Sequence, residues 1–323
     1  MTFGELFSAY RASLGTRHSA TRYLYIYQQY FRQWDARDIN TITRSEILFF
    51  RQQYQHTPEQ CRKGLGLVRQ MYNWARNRID EKTFRCLYEG ENPAWKVTPP
   101  ASIPRERLMD LSEIKALLAS LDYLTLKYQA FLMTRLLAAG RILELCTMRR
   151  DCVNLDSGKW FKGQTKTGRP QYMHIPTRAL DYLRSLPVEG EYFFMGAYGR
   201  PLQPGSARKI WARFRLHLDM PDVWLLDFRR TLASYLYMQC KADDLTVKAV
   251  LNHYDPRPVA IYTRLDYDYL KEVMEQYAEW IWALKPMEDG LSPPQETIRA
   301  VNGCTHPQPL VTTPPPAKEE HAS

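Results

Sequence analysis

The sequence predicts a mainly α chain with one small β-hairpin (α+β), divided into two domains. Three observations carry this. Apolar residues recur at spacings of three and four over most of the chain. Two short stretches, Lys159–Lys162 and Gln171–Ile175, alternate with a period of two instead. Four prolines, Pro93, Pro99, Pro100 and Pro104, fall within twelve residues and cannot continue a helix.

The first ninety or so residues read as helices. Ala20, Tyr23, Leu24, Tyr27, Tyr30, Phe31 and Trp34 share one face, an aromatic stripe that suits a core better than a base-stacking platform. Thr43 with Glu46 forms a capping box for a third helix, and Thr57-Pro58-Glu59 opens a fourth. That fourth helix places Leu65, Val68, Tyr72, Ala75 and Ile79 on one side and Arg62, Lys63, Arg69 and Arg76 on the other. A charged stripe is ordinarily a solvated face; Arg62, Lys63 and Arg69 are also candidates for contacts along DNA phosphates. The expected domains are residues 1–97, a Pro-rich connector at 98–110, a second domain at 111–285, and a disordered tail at 286–323 holding eight of the chain's 21 prolines.

In the second domain Ser112 is placed as the cap of a helix beginning near Leu111, and a second apolar helix runs from about Thr125 to Ala138. Gly140 ends it, and Arg141 opens the next helix with Glu144 three residues on, positioned to brace the arginine. The hairpin follows, with Gly168 available for the turn. Then come a possible strand from Glu191 to Met195 and helices at Pro204–Leu218, Asp227–Gln239, Asp243–Leu251 and Tyr267–Leu284.

Composition narrows the function. The 323 residues carry a net charge of +9, which favours an anionic partner and nucleic acid over membrane. Six scattered cysteines without a C-x-x-C pair read as reduced thiols of a cytoplasmic protein rather than disulfides or zinc ligands. The N-terminus lacks a signal-peptide pattern, and no apolar run is long enough to span a membrane. No Walker-type loop and no carboxylate pair placed for two metal ions is present.

The chemistry concentrates late in the chain. Leu226-Asp227-Phe228-Arg229-Arg230-Thr231 precedes Leu251-Asn252-His253, and Tyr262 follows His253 by nine residues. An arginine near a helix start can clamp two phosphate oxygens, and a tyrosine brought to that phosphate is a nucleophile once its proton finds an acceptor. This spacing resembles the second half of the tyrosine recombinase (phage integrase) active site. Gly140-Arg141-Ile142-Leu143-Glu144-Leu145 resembles the family's first arginine motif, and Lys166-Thr167-Gly168-Arg169-Pro170 its hairpin lysine. The motifs stand in the family's order from Leu111 to Leu284; the helical N-terminal part resembles, more loosely, the family's core-binding domain.

The resemblance implies a metal- and ATP-independent recombinase of a phage or other mobile element, acting in the bacterial cytoplasm on double-stranded DNA. Arg141 and Arg229 would hold the phosphate, Tyr262 attack it, Lys166 protonate the leaving oxygen and His253 assist. Arg230 adjoins Arg229 but falls outside the motif. The resemblance further implies self-association on DNA as a tetramer, with helix 267–284 docking on a neighbour through an apolar face that could equally pack on its own domain, and leaves room for DNA-bending accessory proteins. One position departs from the pattern: Leu226 stands where the family has His or Lys. Leucine neither donates nor accepts a hydrogen bond, so the alternative is a catalytically weakened DNA-binding accessory or regulatory protein of the same fold. A relaxing topoisomerase is the third reading, and the helix after Tyr262 argues against it.

Overall fold

The computed structural model describes residues 1–15, 18–81, 83–163, 171–252 and 266–286. It separates into two compact units, Met1–Arg105 and Glu106 onward, each with its own apolar core.

The first unit packs helices α1 (Phe3–Ser13), α2 (His18–Tyr30), α3 (Arg44–Gln53) and α4 (Pro58–Arg76) around an aromatic centre. The stripe is core, although α2 ends at Tyr30 and Phe31 and Trp34 belong to the turn after it: Phe7 and Tyr27 stack at 3.8 Å and Phe31 meets Phe50 at 5.1 Å. The capping box at Thr43 and Glu46 forms, and Pro58 stands in the first turn of α4. Gly64 lets α4 approach α3, since a Cβ there would fall 2.3 Å from the Phe50 ring. Ile79 lies beyond the end of α4 and is exposed, correcting its assignment to the apolar face; its backbone bridges Cys86 instead. The start of the Pro-rich stretch is fastened to this unit, with Ala94 and Val97 buried and Arg51 donating to the Thr98 carbonyl at 2.7 Å.

The second unit begins with Met109 buried, its N–H donated to Thr231 Oγ1 at 2.9 Å. Helices α5 (Leu111–Ala119), α6 (Leu126–Leu137) and α7 (Ile142–Cys146) lead into a three-stranded antiparallel sheet of β1 (Val153–Asn154), β2 (Lys159–Lys162) and β3 (Gln171–His174). Trp160 pairs with Met173 and Phe161 with Tyr172 across the hairpin. Then follow α8 (Thr177–Arg184), α9 (Pro204–His217), α10 (Asp227–Met238), α11 (Asp244–Val250) and α12 (Tyr267–Trp282). Asp110, not Ser112, caps α5, because its carboxylate reaches the Glu113 N–H while Ser112 already lies inside the helix. Residues 191–195 form only isolated bridges, Arg149 to Tyr192 and Met195 to Pro201, rather than a strand.

Helix α12 corrects a further expectation, docking on a neighbour, in favour of packing on its own domain. Its apolar face of Val273, Met274, Tyr277, Ala278 and Ile281 is buried in the core of its own unit, against α6, α8, α10 and β3. A face already covered is not available to dock on a neighbour. Among the described residues no helix is long and apolar enough to cross a membrane.

Candidate active site

Three short backbone segments meet at one place: the α6–α7 junction, the start of α10 and the end of α11. Arg141 stands at the N-cap of α7 and donates its backbone N–H to Glu144 Oε2 at 2.9 Å and its Nη1 to Oε1 at 2.8 Å. Arg229 lies in the first turn of α10, is almost wholly buried, and donates to the carbonyl oxygens of Ala139 and Leu251. The Arg141 Nη2 reaches toward the next carbonyl, Asn252 O, at 3.5 Å. The two guanidiniums are thus drawn to consecutive residues of one turn.

The backbone is shaped to allow this. Ala139 and Asn252 both adopt left-handed conformations, each at φ +49°, which turns their segments sharply at the arginines. The helix-breaking position is therefore Ala139 rather than Gly140. Gly140 serves packing instead: a Cβ there would lie 3.0 Å from both Leu145 Cγ and Trp160 Cη2.

Two cations that sequence reasoning did not single out complete the cluster. Lys162, on the inward face of β2, donates to Glu144 Oε2 at 2.9 Å with 2% of its side chain exposed. Arg135, in the middle of α6, is 1% exposed and grips the Leu225 carbonyl through Nε at 3.1 Å and Nη2 at 2.9 Å. Its buried Nη1 has no partner among the described residues. A signal existed for each: Arg135 stands among Phe131, Leu132, Met133, Leu136 and Leu137, and Lys162 shares the period-two face of Trp160.

The electrostatics follow from one carboxylate among four cations. Burial, then the neighbouring Arg141 charge, pushes Arg229 down to about 10. Burial, then Arg229, brings Arg135 down to about 9. Burial pushes the Lys162 ammonium down to about 8 although Glu144 pulls the other way. Burial works to raise Glu144, but the Lys162 charge and the hydrogen bonds from Arg141 and Lys162 outweigh it and hold the carboxyl at about 2. Such a site favours an anion bearing several acceptor oxygens.

Residues 107–268, half of the chain, match the model of the phage integrase family. The chain belongs to that family. Among curated phage integrase relatives, the tyrosine recombinase XerA of Thermococcus kodakarensis is 26% identical over 199 residues, covering 58% of this chain and 70% of that protein. The tyrosine recombinase XerC of Xylella fastidiosa is 27% identical over 203 residues, 57% of this chain and 65% of that protein. A solved lambda integrase dimer bound to a COC′ core site shares the fold at a TM-score of 0.62 and 16% identity, covering 79% of this chain and 96% of that one. The Tn1549 transposon integrase in complex with transposon right end DNA aligns at a TM-score of 0.58 and 12% identity, over 86% of this chain and 100% of that one.

Of the expected site residues, Arg141 and Arg229 stand together. Lys166, His253 and Tyr262 lie outside the described residues. Leu226 is the N-cap of α10 and is 51% exposed, three residues before Arg229. Arg230 turns to Asp227 Oδ1 at 2.9 Å, in keeping with its exclusion from the motif. In the first unit, Arg69 donates to the Ala94 and Val97 carbonyls and Arg62 pairs with Glu59 at 2.8 Å, while Lys63 is exposed.

Proposed function

We propose that this chain is a site-specific recombinase that cuts and rejoins double-stranded DNA through a 3′-phosphotyrosyl link. The observation that carries the reading is the convergence of Arg141 and Arg229 on the turn at Leu251 and Asn252. Two forked cations at that turn suit the non-bridging oxygens of one phosphate. The chain runs on from this turn directly into His253 and, nine residues later, Tyr262.

In this reading the Tyr262 oxygen attacks phosphorus, the bond to the 5′ oxygen breaks, and Lys166 supplies the proton that leaves a 5′-hydroxyl. His253 hydrogen-bonds the phosphate or accepts the tyrosine proton. The phosphotyrosyl link retains the phosphodiester energy, so rejoining needs no ATP. Association of several copies on DNA belongs to the proposal and would use surfaces other than the apolar face of α12; the exposed Lys63 fits a phosphate contact.

The test is covalent capture on supercoiled plasmid carrying the DNA that flanks the gene. SDS-resistant, protease-sensitive DNA with wild type and none with Tyr262→Phe is the expected result. Leu226 favours one second reading, a DNA-binding protein without turnover. Salt-dependent binding with no adduct from any flanking sequence is its signature.

A further inference from the structure

Strand β2 turns Trp160 and Lys162 inward, and both reach the segment that carries Arg141. Trp160 fills the space beside Gly140. Two residues on, Lys162 reaches Glu144 and stands 4.8 Å from the Trp160 ring centroid. Glu144 is therefore the common acceptor for an arginine at the mouth of the site and a lysine beneath it. Its carboxylate cannot rotate away from one without losing the other. Lys162 is itself too buried to meet DNA.

We propose that Lys162 is a positioning residue: through Glu144 it fixes the Arg141 guanidinium in the orientation that receives a tetrahedral anion. The inference rests on reading Arg141 and Arg229 as a phosphate site. Stability alone does not account for the pair, because a buried ion pair is often replaced by apolar groups of like volume at no loss. The charges facing Lys162 are Glu144 from α7, Arg141 from its N-cap and Arg229 from α10.

Above about pH 8 the Lys162 proton leaves and the hold on Glu144 weakens. The stability effect has the opposite sign. A lysine depressed in the folded state binds fewer protons than the unfolded chain between about pH 8 and its ordinary value, so through this group stability rises with pH in that window. Anion affinity and stability accordingly part company there, which a merely structural pair would not produce.

The experiment titrates tungstate, a tetrahedral dianion across this range, into the full chain by calorimetry. Wild type, Lys162→Met, Glu144→Gln and the double variant are compared. Lys162→Met is expected to bind about tenfold more weakly at about pH 7. The double variant should bind no worse than Glu144→Gln alone, because Lys162 acts through that carboxylate. Between about pH 7 and about pH 9 wild-type affinity should fall by a larger factor than that of Lys162→Met, whose remaining fall comes from Arg135 and Arg229. Normal wild-type binding with Lys162→Met unchanged, or losses that add in the double variant, overturns the inference alone. Failure of wild type to bind tungstate overturns the phosphate-site reading itself.

Discussion

Introducing a histidine at position 226 should speed DNA cleavage. Leu226 precedes Arg229 by three residues on α10 and so shares its face. The side chain is half exposed and makes no capping hydrogen bond, so Leu226→His should change stability by no more than about 0.5 kcal/mol. A donor placed there gains one hydrogen bond to a charged phosphate oxygen, worth about 1.5–3 kcal/mol. At about 1.4 kcal/mol per factor of ten, that is about tenfold to about a hundredfold in rate. The gain should be larger near pH 6 than near pH 8, since an exposed imidazole protonates around pH 6.5. The assay is the initial rate of covalent adduct on a plasmid that wild type cleaves, with Leu226→Ala as the control expected to match wild type. Equal rates for the His, Ala and wild-type forms would refute the placement of position 226 beside the scissile phosphate.

Other changes have equally definite outcomes. Arg229→Lys keeps the charge but loses the fork held by Ala139 and Leu251, and should slow cleavage about a hundredfold to about a thousandfold while leaving non-specific DNA binding in filter assays intact. Gly140→Ala forces a methyl against Leu145 and Trp160 and should cost about 1–3 kcal/mol in denaturant unfolding; an unchanged midpoint would mean the α6–α7 junction yields freely. Asn252→Gly removes a buried amide nitrogen that has no partner among the described residues and suits the left-handed backbone, so the melting temperature should rise by about 2–4 °C. No rise, or a fall, would show that the amide is satisfied.

The helices and the hairpin were legible because their periodicity is strong: the expected bounds of α6, α10 and α12 lie within one or two residues of those observed. What escaped was short or decided by tertiary contacts. Strand β1 has two residues, too few to establish a period. Arg69 looked like part of a solvated or DNA-facing stripe, yet it fastens the backbone at Ala94 and Val97, contacts that no local pattern encodes. The arginine pair was legible from motif and order. Its supports were not, since Lys162 meets Glu144 across 18 positions and Arg135 meets Leu225 across 90. The aligned glycine of the first motif also misled, because the residue that bends the backbone is the alanine before it.

The contact between β3 and α12 ties together two elements that are far apart in sequence. His174 Nε2 lies 2.7 Å from Glu275 Oε1, its Nδ1 lies 3.2 Å from the Tyr267 hydroxyl, and Glu275 also accepts from the Thr177 N–H and hydroxyl. The chain that leaves β2 toward Lys166 comes back at Gln171, and the chain that leaves α11 toward Tyr262 comes back at Asp266. Those two landings share one abutment, clamped by a single carboxylate. Gln171 and Asp266, far apart in sequence, thus lead into elements held by the same carboxylate, so a substitution at Glu275 would loosen β3 and α12 in one stroke.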